Sequence, residues 1–184
     1  MDFVRFIEVM QGVYADAGAT LELNAPATEQ QIAAAEHELG FAIDPALKAA
    51  WRIANGAPSW TPLFARPDFY TGFDFLPIEE ALRQRRNMRE RAPRYAGYDE
   101  EQPRDARLRE GWFQDGWLPF AGFSAPVMML ISDASPAASG RSGQIIAFVH
   151  DPDQMTFVSQ DFPNLLAVSA TQIAAEPQEY IEED

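Results

Sequence analysis

The chain has 184 residues, 47% hydrophobic and 23% charged, with no cysteine, so it is long enough to bury roughly 70% of its unfolded surface and has no disulfide or thiolate chemistry to draw on. Lys and Arg number 14 against 28 Asp and Glu, giving a formal net charge of −14 at pH 7, a field that repels nucleic-acid phosphates and speeds encounter with a basic partner. The opening MDFVRFIEVMQGVY carries Asp2 and Glu8, and no run approaches membrane-spanning length, so the expectation is a cytoplasmic protein with neither secretory signal nor membrane segment.

Phe3, Phe6, Ile7, Met10 and Tyr14 recur at helical spacing and predict an amphipathic helix from about Asp2 to Tyr14. In TEQQIAAAEHELG, Thr28 and Gln31 have capping-box spacing, Ile32, Ala35 and Leu39 share a face, and Gly40 supplies a left-handed stop. Asp44 then caps a third helix with Pro45 in its first turn, and Leu47, Trp51 and Ala54 form its stripe. Asn55-Gly56 is expected to close that helix, since both residues tolerate positive φ, and Pro58 forbids resumption. Ser59 to Leu76 reads as a loop followed by a strand, TGFDFL, with Phe73 and Phe75 on one face and Asp74 on the other.

From Pro77 to Pro93 the pattern is helical again, acidic at the start (Glu79, Glu80) and arginine-rich beyond (Arg83, Arg85, Arg86, Arg89). Arg83 to Arg109 holds nine arginines and five acids; a solvated helix face, partly paired with the chain's own acids, is preferred for them over a phosphate-binding patch. RYAGYDEEQPRDARLREG is polar and turn-rich and is expected to be an exposed excursion. VMMLISD, GQIIAFVHD and MTFVSQ then read as strands, the second apolar enough to be covered on both faces, with a type I turn expected at DPDQ. DFPNLLAVSATQIAAEP closes the chain as a helix before an acidic tail, 177–184, expected to fray. The class is α+β: a mainly antiparallel sheet packed with N-terminal helices and a C-terminal helix, in one domain spanning 1–184 with an insertion around 83–115.

These blocks, in this order, resemble the SUKH superfamily, which groups fungal Smi/Knr cell-wall regulators with bacterial immunity proteins. Ile32, Glu36, Leu39, Gly40 and Ile43 fit its helix-glycine-aliphatic pattern, and Lys48, Asn55 and Gly56 its second block. Trp117, Leu118, Pro119, Phe120 and Ala121 form the third, Asp133 and Pro136 the strand-end aspartate and proline, Gly143 the hairpin glycine, and Phe162, Leu165 and Leu166 the closing aromatic and helix. The likeness covers Thr28 to Pro58 and Trp117 to Leu166, somewhat under half the chain. The family's usual Leu-Pro is here Ile43-Asp44-Pro45, which keeps both the cap and the apolar face. What the resemblance implies is a non-enzymatic, cofactor-free protein that binds a protein partner: a basic toxin domain for an immunity protein, often a nuclease, or a regulatory scaffold after the fungal members. Glu36, Gly40, Asn55, Gly56, Trp117, Pro119, Phe120, Asp133 and Gly143 are scaffold positions in that reading.

Residues able to carry chemistry are few. His37 lies between Glu36 and Glu38 on different helix faces and reads as a surface histidine. His150-Asp151-Pro152-Asp153 could hold a divalent ion, but a hairpin turn explains the same residues, and neither another nearby histidine nor any cysteine completes a ligand set. No nucleophile elbow, Walker loop or zinc-helix motif occurs. Trp51, Trp117, Phe120, Phe148 and Phe162 are expected in the core. Trp60, Phe64, Phe69 and Tyr70 lie in a proline-broken stretch and, with the acids Asp68, Asp99, Glu100 and Glu101, are the candidate partner contacts.

Overall fold

The computed structural model describes residues 1–67, 69–98, 100, 102–123 and 127–181. In chain order the elements are α1 (Phe3–Asp16), α2 (Glu29–Leu39), α3 (Pro45–Ile53), β1 (Pro62–Arg66), β2 (Phe69–Phe75), α4 (Ile78–Arg91), β3 (Trp117–Phe123), β4 (Met128–Asp133), β5 (Gln144–Val149), β6 (Gln154–Ser159) and α5 (Phe162–Ala175), with 3-10 turns at Ala92–Tyr95 and Pro177–Glu179. The class is α+β, helices packed on a six-stranded antiparallel sheet in the order β1-β2-β3-β4-β5-β6.

Four helices begin where a short polar side chain takes up amides that the helix leaves free. Asp2 accepts from Arg5, Thr28 and Gln31 complete the expected capping box, Asp44 accepts from Ala46 and Leu47 ahead of Pro45, and Asp161 accepts from Asn164. Gly40 ends α2 at φ 75°. The end of α3 departs from expectation. The helix stops at Ile53 with Ala54 extended, Gly56 takes φ 80°, and Asn55 does not adopt positive φ. Asn55 works through its side chain instead, its Oδ1 accepting the Ile78 N–H at 2.9 Å across to the start of α4.

Ser59 to Leu76 is a hairpin rather than a loop and one strand. Pro62 opens β1, which as an edge strand tolerates a missing donor there. The exposed side of that edge is satisfied without another strand: the Ser169 hydroxyl of α5 accepts from the Ala65 N–H (3.0 Å) and donates to the Ala65 carbonyl (3.1 Å), and Tyr14 donates to the Pro62 carbonyl (3.0 Å). The sheet curls far enough for Arg66 on β1 to donate to the Thr156 hydroxyl on β6 at 2.8 Å.

Alternation along β3, β4 and β5 sends apolar side chains to both faces. Leu118, Phe120, Leu130, Ile145 and Ala147 face the main core with α1, α2, α3, α5 and the first turns of α4. At its centre Phe64 stacks on Phe6 (centroids 5.9 Å apart) and presents to Phe75, Phe120 and Phe162 at 5.6–5.9 Å. Phe64 is therefore a core residue and cannot contact a partner, because β1 turns it inward. Trp117, Met129, Ile131, Ile146, Phe148 and Met155 point the other way and need a second cover.

The insertion supplies it. Met88, Leu108, Trp112 and Phe113 close over that face, with Phe113 5.2 Å from Phe148. The stretch expected to be an exposed excursion is thus partly a lid on the sheet, since leaving those strand side chains wet would forfeit roughly 25 cal/mol per Å² of apolar surface. Glu100 belongs to this packing rather than to a partner surface: its buried carboxylate pairs with Arg104 and accepts the Met155 N–H on β6 at 3.2 Å. The tail expected to fray is held as far as residue 181, with Tyr180 and Ile181 buried and Gln172 donating to the Tyr180 hydroxyl at 2.7 Å. The DPDQ turn contains a cis Asp151-Pro152 bond and Asp151 at φ 66°, in place of the type I turn expected.

Gly56 lies where backbone packs closely against backbone. A Cβ there would lie 2.5 Å from the Pro77 nitrogen, whereas one on Gly40, at nearly the same φ, meets nothing. Gly40→Ala should cost about 1 kcal/mol for the left-handed backbone alone, and Gly56→Ala at least about 2 kcal/mol more, measured by urea unfolding. Equal costs would refute the close packing at Gly56.

Candidate functional site

The feature that the core does not absorb is Trp60. It is 77% exposed, while the other three tryptophans are buried, and it sits at φ 66°, a backbone region that a bulky side chain occupies only when its surroundings impose it. The imposition is visible: the Trp60 N–H donates to Asp74 Oδ2 at 2.8 Å, and the indole meets the ring of Phe123 edge-on at 5.9 Å. Asp74 is half-buried on β2. Burial raises its carboxyl above the ordinary value, against the opposing pull of the Trp60 and Thr61 amides. Tyr70, 69% exposed, stands on the same strand.

Three grooves meet at Trp60. The first, about 640 Å³, runs between Trp60, Tyr70, Asp74, Phe123 and the tail residues Glu179 and Tyr180. The second lies against Pro58, Pro62 and Glu22. The third lies against Phe75, Pro77, Glu80 and Arg83. Most acids elsewhere that face arginines are paired: Arg52 with Glu29, Arg86 with Glu38, Arg89 with Asp115 and Arg107 with Asp105, at 2.5–2.6 Å. In the third groove Arg83 likewise pairs with Glu80 at 2.5 Å. Around the other two, Asp74, Glu22 and Glu179 enter no ion pair among the described residues.

The remaining sequence-based candidates fall differently. Phe69 is partly covered, with the Arg66 guanidinium 4.0 Å above its ring. Asp68, Asp99 and Glu101 lie outside the described residues. His37 is exposed, and His150 Nδ1 makes a 2.6 Å hydrogen bond to Asp153 within the β5–β6 turn. Among the described residues no three His, Asp or Glu come together as a metal site, and no helix is long and apolar enough to cross a membrane. The arginines of α4 do lie on a solvated face partly paired with the chain's own acids.

The model of the SMI1 / KNR4 family (SUKH-1) matches residues 26–167. The chain belongs to this family. No curated protein matches it. Within the SUKH-1 span, the motif positions prove to be joints. Glu36 accepts from Lys48 Nζ (2.7 Å) and from the Ile43 N–H (2.9 Å), tying α2 to α3. Asp133 is fully buried and accepts from the Ser135 N–H and Gln144 Nε2, both at 2.9 Å. Desolvation raises its carboxyl, and those two donors work the other way. Gly143, at φ 86°, lets the β4–β5 loop come against Asp44, to which a Cβ would approach within 2.8 Å. Pro119 stands beside a bulge in β3, where a missing N–H is tolerated, and Trp117 and Phe120 face opposite sides of the sheet.

Trp60, Tyr70, Asp74 and Phe123 lie inside the SUKH-1 span, whereas Glu22, Glu179 and Tyr180, which wall the grooves, lie outside it. The signal missed in sequence was Asp74, read only as the outward residue of TGFDFL. It is the acid that fixes Trp60. Because its folded carboxyl titrates above the unfolded value, the parent loses stability as pH rises through that window. Asp74→Asn should therefore gain on the parent from about pH 3.5 upward and hold a constant difference above the folded titration, read from urea unfolding at stepped pH. A difference that is flat, or that moves the other way, would refute the raised carboxyl.

Proposed function

We propose that this chain is a non-enzymatic binding protein that neutralises a basic toxin domain, such as a nuclease, by direct protein–protein contact in the cytoplasm, the role taken by bacterial members of the superfamily. The observation that carries the reading is Trp60: a large aromatic held out in solvent, flanked by Asp74, Glu22 and Glu179, which enter no ion pair among the described residues. Interfaces concentrate their binding energy on such aromatic anchors, and rim carboxylates steer a cationic partner and set its orientation. The charge of −14 extends that steering beyond contact distance. A nuclease presents positive charge where it grips phosphate, and an acidic face can occupy the same ground. The joints at Glu36, Asp133 and Gly143 support the scaffold that holds the surface still, and the reading calls for no cofactor.

The test begins with the reading frames beside the gene, each expressed alone and together with this chain. One neighbour should be toxic alone, harmless together, and recoverable as a complex. Trp60→Ala should weaken that complex by roughly 10- to 100-fold while leaving the unfolding transition in place, because the indole is not part of the core. Neighbours that are harmless, or a toxic one unaffected by the chain, would refute the immunity role and favour the regulatory module. Full protection by Trp60→Ala would remove Trp60 from the interface.

A further inference from the structure

The cleft beside Trp60 has a definite chemistry: its lining is aromatic and acidic, the complement of a cation. We infer that the groove between Trp60, Tyr70, Asp74 and Glu179 is a receptor for an arginine side chain carried on an extended segment of the partner. The inference rests on the reading that the chain binds a basic protein, and goes beyond it by naming the face and the group that enters it.

Three observations converge on this groove. First, its walls are aromatic where a planar cation stacks best: Trp60 meets Phe123 edge-on, which leaves an indole face open to solvent, and Tyr70 stands exposed on the adjoining strand. A guanidinium stacks on an indole more readily than an ammonium does, and its fork of donors can reach a carboxylate at the same time. Second, Asp74 is already half-buried and accepts its hydrogen bonds only from neutral donors, the Trp60 amide at 2.8 Å among them. Glu179 on the opposite wall makes no side-chain hydrogen bond or ion pair among the described residues, and neither does Glu22 across the indole. Third, the chain itself shows what the missing group looks like. In the groove on the remaining side of Trp60, Arg83 pairs with Glu80 at 2.5 Å, so there the cation is internal; in the groove facing the tail none of the described residues supplies one.

The groove volume of about 640 Å³ exceeds one side chain and suits a short length of chain with its arginine innermost. Its two walls also differ in origin. Trp60, Tyr70 and Asp74 come from the span that the family model matches, and Glu179 and Tyr180 from the tail beyond it. The buried Tyr180, held by Gln172 and packed beside Gly72, keeps the Glu179 wall in place. The tail thereby tunes a receptor whose anchor belongs to the family span.

The probe is acetyl-glycyl-arginyl-glycinamide, titrated into the ¹⁵N-labelled full chain by NMR. Saturable shifts are expected at the Trp60 indole N–H and at the Gly72 and Phe123 amides, with a dissociation constant on the order of millimolar. The citrulline peptide, of the same shape without the charge, should bind at least about tenfold more weakly, and the lysine peptide between the two. Glu179→Gln should weaken the arginine peptide while leaving the spectrum otherwise that of the parent, and Trp60→Ala should abolish the shifts at Gly72 and Phe123. Citrulline binding as well as arginine, shifts confined to other surfaces, or no saturable shift at all would overturn the inference. The neighbouring-gene experiment separates the two levels: toxin binding that the arginine peptide does not compete with, in a chain whose Glu179→Gln variant binds normally, sinks the arginine receptor and spares the immunity role. An arginine-specific groove in a chain that protects against no neighbouring toxin does the reverse.

Discussion

The structure turns on one corner in which Gly56 lies against Pro77 with no room for a side chain between them. Several chain segments are tied together there by hydrogen bonds that no single element could make alone. Asn24 donates through its N–H to the Gly56 carbonyl and through Nδ2 to that of Asn55, while the Asn55 N–H returns to Ala25. The Ala57 N–H donates to the Phe75 carbonyl, Trp51 Nε1 to that of Leu76 at 3.0 Å, and the Asn55 side chain takes the first amide of α4. The segment before α2, the end of α3, the end of β2 and the start of α4 thus share one joint, nearly all of whose polar groups come from residues 24–27, 51–57 and 75–78. Buried backbone groups must find partners, and here they find them only if the segments meet in this arrangement.

From that joint the chain has only three residues before Trp60, so the joint also aims the binding surface. Ala57 is fixed to Phe75, Trp60 to Asp74 through its amide, and the intervening Pro58 restricts the backbone between them. The exposed indole is thereby presented by a rigid bracket bound at both ends to β2, and less side-chain and loop entropy is lost when a partner closes on it. The strained φ of Trp60 belongs to the same bracket.

A second constraint is that the sheet is apolar on both sides. One face is closed by α1, α2, α3, α5 and the first turns of α4, the other by the arginine-rich insertion. The insertion accommodates its charges by pairing them close to home, Arg104 with Glu100 and Arg107 with Asp105, and by laying guanidinium planes over Trp112 and Phe157. Ion pairs of this kind add little stability where they are wet; their work here is to let a polar segment lie against an apolar sheet without stranding a charge. Asp74, Glu22 and Glu179, which border Trp60, take no part in such pairing among the described residues.

Local chemistry was legible in the sequence wherever a few neighbouring residues decide the outcome. The caps at Thr28 and Asp44, the left-handed Gly40, the periodic helices and the short apolar strands of the last third depend on interactions within a turn or two, and the residues that make them are written side by side. The family pattern could be read for the same reason, because its glycines and acids sit at the ends of those elements. What the sequence could not decide were matters of distant pairing. That Phe64 points into the core depends on Pro62–Arg66 finding β2 on one side and Ser169, more than a hundred residues away, on the other. That Leu108, Trp112 and Phe113 cover the sheet rather than face solvent depends on strands still to come in the chain, and the same holds for the tail at Tyr180. The binding surface shows both sides of this division: an out-of-place tryptophan between prolines could be seen in the sequence, while the carboxylates that surround it come from residues 22, 74 and 179 and are assembled only when the sheet curls and the tail returns to it.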